Sequence, residues 1–324
     1  MEKNELPPIE ILMAVYDPRR DWLIEQLRSL NTQSYPRLLL RILDDASPNM
    51  PFEELQALVR TYITAFPYTI ERNERNLGSN LSFEKLTASS SAPLLAYCDQ
   101  DDIWLPDKLL VLREAMEREG ALLVCSDMFV IDENGTELAD RIRKVRRHQH
   151  LQSGTGLAEG LLTRNFVTGC TMLVRGERAR EAVPFCPYMV HDQYLALFCA
   201  ERGAIFSVRE PQIRYRIHGG NQTATMSGVT DKASYGRVRI ETSIERLRWL
   251  REHFPCGETT QKAIERRLSW AELRRTYWTE DRGALALWRL RDCGRTITLF
   301  ELAAKHFPER LFRFVITLAK KNVI

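Results

Sequence analysis

The sequence predicts an α/β protein: a doubly wound, mostly parallel sheet over residues 1–228, then a helical, basic C-terminal extension over 229–324. Three observations carry this. Short apolar segments rich in branched residues alternate with segments of helical period from Ile9 to Asp132, the pattern of strands joined by crossover helices. Acidic residues close two of the strands, at Asp44 and Asp45 and again from Asp99 to Asp102. In such sheets ligands bind beyond the carboxyl ends of the strands. Beyond Asp231 the strand pattern stops and amphipathic helical periods replace it.

The elements follow in order. IEILMAVYD (Ile9–Asp17) reads as a buried strand. Asp17 and Pro18 open a helix, the aspartate as N-cap and the proline at the first helical position. Leu23, Leu27 and Leu30 recur at helical spacing. RLLLRILDDAS (Arg37–Ser47) is a second strand. Pro51, Glu53 and Glu54 start a helix whose apolar face is Leu55, Leu58, Val59 and Tyr62. YTIER (Tyr68–Arg72) is a short third strand, and NLGSNLSFEKL (Asn76–Leu86) a turn entering a helix. APLLAYCD (Ala92–Asp99) is the fourth strand, followed by the helix LPDKLLVLREAMER. ALLVCSDMFVID (Ala121–Asp132) is the fifth, with ENG as a turn.

The basic run Arg141–His148 is either a solvated loop or a flexible one that meets phosphates. RVRIETSIERLRWLREHF and TTQKAIERRLSWAELRRTYW are two amphipathic helices separated by PCGE. RLFRFVITLAKK (Arg310–Lys321) is apolar with basic flanks and too short to span a bilayer. It either lies on a membrane or packs on the body as a terminal core helix.

A chain of 324 residues suits one large domain with an appendage, or two domains. Its polar start leads straight into a strand pattern, without the apolar core of a signal peptide. Seven cysteines make an odd set without a CxxC pair, which reads as reduced thiols in a cytoplasmic protein. The glycosylation-type triplets at Asn80, Asn134 and Asn221 are then chance matches. The net charge of +3 divides unevenly: residues 231–324 hold 20 Lys+Arg against 12 Asp+Glu, net +8, and the remainder 26 against 31, net −5. A basic tail on an acidic body points to an anionic partner, or to a well-solvated helical surface. Nucleic acid is disfavoured, because Trp249, Trp270 and Trp278 fit helical core spacing better than base stacking.

AYCDQDDIWLP (Ala96–Pro106) leads a buried strand into a knot of three aspartates. Like charges this close repel, and desolvation adds to the cost. The knot makes sense if something positive sits there. A calcium loop does not fit, since its glycine and distant glutamate are missing.

The ordered set ILDDASP, NERNLGSNLSF, YCDQDDIWLPDKL, NFVTGCTMLVR, HDQYLAL and YRIHGGNQT resembles a family 2 glycosyltransferase of the GT-A fold, over roughly residues 9 to 225. DQDDIW with YRIHGGN is similar to bacterial rhamnosyltransferases of surface-polysaccharide assembly. The resemblance implies an inverting, metal-dependent enzyme that moves one sugar from a dTDP- or UDP-sugar, such as L-rhamnose from dTDP-rhamnose. The acceptor is a glycan or lipid-linked oligosaccharide, as in lipopolysaccharide synthesis, with peripheral contact at the inner face of the membrane.

Residue by residue, the DxD motif maps onto Asp99, Gln100 and Asp101. Asp101 is the direct ligand of Mg²⁺ or Mn²⁺, and Asp99 orients the ribose or shares the metal. Asp102 caps the following turn. His218 is a further metal or diphosphate ligand, or a structural histidine; Arg214 and Arg216 contact phosphates or form strand-edge salt bridges. Asp44 or Asp45 accepts from the base, Ala14, Val15 and Tyr16 line its pocket, and Asn76, Gly78 and Asn80 form a turn near the donor. Asp192 matches the general base, with His191 where the family often has glutamate. Gly169, Cys170, His191 and Trp104 line the acceptor or sugar pocket. The Gln-x-x-Arg-Trp signature of processive synthases is absent, which favours single-sugar addition. A non-catalytic nucleotide-sugar or glycan-binding protein with a degenerate domain is the competing reading, and Asp101 together with Asp192 argues against it. A nucleotidyltransferase would want a glycine-rich loop after the first strand, which VYDPRRD lacks.

Overall fold

Alternating strand and helix patterns fold as one sheet with helices around it in the computed structural model, which describes residues 6–147, 149–219, 226 and 228–320. His148 of the basic run, Gly220–Thr223 of the last motif, with Asn221, and Lys321 lie outside the described residues. Contacts divide the chain into two compact units, one of residues 1–185 and 190–218, the other of 186–189 and 219–324.

The first unit runs β1 (Ile9–Val15), α1 (Arg20–Asn31), β2 (Leu38–Asp44), α2 (Phe52–Tyr62), β3 (Tyr68–Arg72), α3 (Ser79–Ser89), β4 (Leu94–Cys98), β5 (Ile103–Trp104), α4 (Lys108–Glu119), β6 (Leu123–Ile131) and β7 (Glu137–Ala139). It continues with α5 (Ala158–Leu161), a 3₁₀ turn (Gly169–Thr171), β8 (Met172–Arg175), α6 (Gly176–Glu181), α7 (His191–Arg202) and β9 (Ile205–Arg216). The strand order is β3-β2-β1-β4-β8-β6-β9-β5, with β7 beside β6. β3, β2, β1 and β4 pair in parallel, as do β6 and β9. β8 runs antiparallel between β4 and β6.

Every residue of β4 is buried, as suits a strand covered on both faces. Ile11, Met13, Leu27, Leu40, Ala96 and Leu112 belong to one core. Register sets Val15 opposite Asp44 and Met13 opposite Cys98. The acidic ends of β2 and β4 therefore flank the end of β1 on a single edge.

The expected N-cap at Asp17 is corrected. The helix begins at Arg20, and Asp17 sits at φ +44° in the preceding loop. Its backbone N–H donates to Ser47 Oγ at 2.8 Å, and its carboxylate accepts from the backbone and side-chain amides of Asn49 at 3.0 and 2.8 Å. Those bonds tie the loop after β1 to the loop after β2, a task that outweighs capping.

The second unit comprises α8 (Lys232–Tyr235), a π-helical turn (Gly236–Glu241), α9 (Thr242–His253), α10 (Glu258–Glu280), α11 (Ala284–Arg289), α12 (Arg295–Ala304) and α13 (Glu309–Lys320). Trp270, Tyr277, Leu287 and Cys293 form its small core. Beside them Arg274, on α10, donates through Nε and a terminal nitrogen to both oxygens of Glu301 on α12, at 2.6–3.1 Å. Tyr235 Oη donates to the same carboxylate at 2.8 Å. Among the described residues no helix is long and apolar enough to cross a membrane.

Candidate active site

The end of β1 is clamped to the end of β4. Gln100 Oε1 accepts from the Tyr16 N–H at 2.8 Å, and its Nε2 donates to the Tyr16 carbonyl at 3.0 Å. Gln100 thereby holds the two strand ends in register. Val15 is buried in the core, Ala14 is half-buried, and Tyr16 is exposed.

Asp44 and Asp45 are both buried, and their oxygens are engaged by the protein itself. Asp44 pairs with the Arg72 guanidinium and accepts from Ser47. Asp45 accepts from Asn73 Nδ2 and the Leu77 N–H through Oδ1, and from the Gly78 N–H through Oδ2, all at 2.8–2.9 Å. Gly78 sits at φ +83° ahead of α3, a conformation that a side chain would strain. Asn76 is exposed, and Asn80 is half-buried in the first turn of α3.

The knot after β4 divides into two parts. Asp101 Oδ2 lies 2.8 Å from His218 Nε2, at the foot of β9. Asp99 instead groups with Asp102 and Cys170, their donor atoms within 4.8 Å of one another. Burial, with the charges of Asp101 and Asp192, pushes the Asp99 carboxyl up to about 7. Burial likewise raises Asp102 well above the usual carboxylate range. Asp102 does not cap a turn: its Oδ1 accepts from the Arg216 N–H at 2.9 Å. Arg216 is equally corrected as a phosphate ligand. It is 1% exposed and donates to the Asp101, Asp132 and Glu133 carbonyls and to Glu25. Those bonds staple β9 to the acidic loop and leave the guanidinium no open face. Arg214 is exposed on the same strand.

Beneath the knot lies Lys108, the first residue of α4, with no exposed surface. Its ammonium donates to the Cys170 carbonyl and stands 3.1 Å from the centre of the Trp104 ring. Burial pulls it down to about 7. Trp104 is 2% exposed and belongs to the core, so it backs the site from within and is no open pocket wall.

The 3₁₀ turn held by Lys108 also holds Asp192. The Gly169 N–H donates to Asp192 Oδ2 and Asn165 Nδ2 to Oδ1, each at 2.9 Å. Asp192 lies in the first turn of α7, where helix dipoles favour a negative group. Burial pushes its carboxyl up to about 6, against the pull of those hydrogen bonds. His191 packs 4.1 Å from the ring centre of Phe83 and 5.4 Å from that of Tyr97. Burial drives its imidazole down to about 3, so it stays neutral. A Cβ on Gly169 would lie 2.6 Å from His191 Nε2, which is why the turn needs glycine.

Reading the sequence did not find Lys108, Asn165, Arg72 or Asn73. Asn165 stood inside a quoted motif, yet only the fold shows which carboxylate it holds. Lys108 likewise stood inside YCDQDDIWLPDKL without a role of its own.

Comparison with known proteins follows the same lines. Residues 10–178 match the family model described as glycosyl transferase family 2. The chain is 23% identical over 256 residues to the dTDP-rhamnosyl transferase RfbG of Shigella flexneri, covering 74% of this chain and 81% of that protein. It is 22% identical over 235 residues to an uncharacterized glycosyltransferase of Nostoc, covering 69% of each. The fold matches S. aureus TarS 1–349 in complex with UDP-GlcNAc with TM-score 0.60 at 12% identity, over 97% of this chain and 92% of that one. It matches the mannosyltransferase PcManGT from Pyrobaculum calidifontis, in complex with GDP-Man and Mn²⁺, with TM-score 0.55 at 13% identity, over 99% and 87%. The sheet is thus the GT-A sheet expected from the motifs.

Proposed function

Because the chain belongs to glycosyl transferase family 2, and is a glycosyltransferase, we propose that it inverts and transfers one sugar, L-rhamnose from dTDP-rhamnose, to a hydroxyl of a glycan or lipid-linked acceptor in cell-surface polysaccharide synthesis. The relative named as a dTDP-rhamnosyl transferase supports the choice of donor. The observation that carries the reaction is Asp192: a buried carboxylate with both oxygens held, pushed up to about 6, whose charge is felt at Asp99 of the acidic knot.

A group with that pKa is ionised at neutral pH and basic enough to share a proton with an alcohol. Asp192 takes the proton of the acceptor hydroxyl as the acceptor oxygen bonds to the anomeric carbon. The bond from that carbon to the diphosphate oxygen breaks, and its electron pair departs with the nucleoside diphosphate. Attack opposite the leaving group inverts the centre. His191 stays neutral and acts as packing behind the Gly169 turn.

The donor set suits a hard divalent cation. Three carboxylates crowd one strand end, and burial, with the charges of Asp101 and Asp192, pushes the Asp99 carboxyl up to about 7. Asp101, Asp99 and His218 would hold Mn²⁺ or Mg²⁺, and the imidazole favours Mn²⁺. When bound, the cation supplies positive charge to the departing diphosphate. Reading the base requires one carboxylate to exchange a protein bond for one to the base N–H. Asp45 accepts only from neutral amides, whereas Asp44 is paired with a guanidinium. Charge-assisted bonds are the stronger kind, so Asp45 is the reader.

The test is nucleoside diphosphate release from a panel of dTDP-, UDP- and GDP-sugars, with Mn²⁺, Mg²⁺ or EDTA, with and without glycan acceptors. Metal-dependent release from dTDP-rhamnose, lost in Asp101→Ala, is the expected result. Release from another donor alone replaces the sugar, and absence of any metal-dependent nucleotide binding overturns the account of the acidic knot.

A further inference from the structure

We infer that α13 is a membrane-surface helix that seats on a bilayer carrying anionic lipid headgroups. The inference stands on the second unit alone and does not depend on the donor or acceptor proposed above.

One stripe of α13 is accounted for by its own unit. Phe312 and Ile316 are buried, and the Phe312 ring lies 5.8 Å from Tyr235, 6.0 Å from Trp278 and 6.2 Å from Phe300. A second apolar stripe follows at i, i+3 and i+7: Leu311, Phe314 and Leu318. Helical geometry places these three on one flank, off the buried stripe. Leu311 is 43% exposed and Phe314 59% exposed. A terminal helix that only completed a core would need the first stripe and not the second.

Charge selects the occupant. Arg310 and Arg313 are exposed and line the second stripe along one side. Arg313 makes a surface contact to Glu309 at 3.3 Å, a weak kind of pair, and its charge also acts on Asp231. The surrounding region repeats the mixture. Half of the large apolar side chains exposed among the described residues fall between 285 and 314. Leu285, Trp288 and Leu299 are exposed there, with Arg289 and Arg295 exposed beside them in sequence. Residues 231–324 carry net +8, from 20 basic against 12 acidic residues. Two copies joined through this face would set like charge against like charge. Apolar side chains flanked by arginines on one helix are the pattern that enters the headgroup boundary, the rings and leucines below and the guanidinium groups at the phosphates. Anionic lipid supplies the complementary charge.

The experiment is flotation of the full chain with vesicles of phosphatidylcholine alone or of phosphatidylcholine mixed with phosphatidylglycerol. The expected result is recovery with the mixed vesicles, little with the neutral ones, and a decline as salt is raised. The double variant Leu311→Ser, Phe314→Ser should lower partitioning about tenfold or more. Its donor turnover in solution should match the parent, which separates this test from that of the catalytic reading. Arg310→Gln with Arg313→Gln should cut binding several-fold and flatten the salt dependence. Phe314→Trp gives a second readout that leaves the helix intact: its emission should shift to the blue with mixed vesicles. No flotation with anionic vesicles, flotation indifferent to the Leu311 and Phe314 changes, or a Trp emission that does not move overturns the proposal. A concentration-dependent dimer abolished by the same double variant gives the face to a second copy, and capture of an acidic protein without lipid binding gives it to that partner; either also overturns it.

Discussion

The chain buries charge in two places, and the two are built to opposite rules. In the helical unit Glu301 meets the Arg274 guanidinium through both oxygens and takes a further bond from Tyr235. One negative group faces one positive group, and the remaining acceptor capacity is used. After β4 Asp99 and Asp102 share one buried lysine, which itself donates to a carbonyl, and both carboxyls are raised. Matched charge of the first kind holds helices together; removing either partner is what costs. Unmatched charge of the second kind is held at a strand end by surrounding structure, and in the function proposed above a ligand completes the balance.

The largest expected effect tests the second place. Asp192→Asn should lower kcat by about 10²–10⁴-fold, as loss of a general base does. Thermal melting should change little, because the amide retains one acceptor oxygen and fits the same space. A variant that loses activity only by unfolding would make Asp192 a structural group like Glu301. Next comes Arg274→Met, which strands Glu301 without its partner and should destabilise the fold by about 3–5 kcal/mol. Denaturant titration measures the loss, and turnover per folded molecule should hold. A fall in kcat without a fall in stability would erase the distinction between the two sites.

Lys108→Met sharpens the comparison further. It keeps the stem against Trp104 but removes both the bond to Cys170 and a buried positive charge that acts on Asp99 and Asp102. We expect kcat to fall about tenfold through the loosened Gly169 turn that holds Asp192, with a smaller change in donor KM. Lys108→Arg should fail to restore it, because the wider guanidinium does not fit the enclosed space. The smallest effect is a titration. The Asp192 carboxyl lies above its ordinary value, at about 6. Base function requires the ionised form, so kcat is held above that pH and declines by about tenfold per pH unit below it. A pH profile of kcat checks this, and the residual activity of Asp192→Asn should lack that acid limb.

How much of this was open to a reader of the sequence follows from what each feature depends on. Strand and helix succession through Asp132 depends on local period, and the chain carries it openly. So does the presence of carboxylates at the ends of strands two and four, since a hydrophobic run fixes where a strand stops. β8 was hidden. Its place between β4 and β6 is a pairing of residues about 80 positions apart along the chain for β4 and about 50 for β6, and no local pattern records distant pairing. The same holds for charge partners. That Asp17 binds Asn49, that Arg216 serves four groups inside the protein, and that Trp104 faces Lys108 were decided when separate segments met.

The sequence by itself therefore determined the fold class, the family and the kinds of reactive groups available at positions 99, 101 and 192, because these rest on residue type, local period and motif order. Only the tertiary structure decided which groups stay available. It turned Gln100 into a strand clamp, drew Asp44 to Arg72, left His191 neutral among aromatic rings, and raised Asp192 by burial under two hydrogen bonds. The physical reason is that availability depends on desolvation and on partners brought from elsewhere in the chain, and neither quantity exists until the chain has folded.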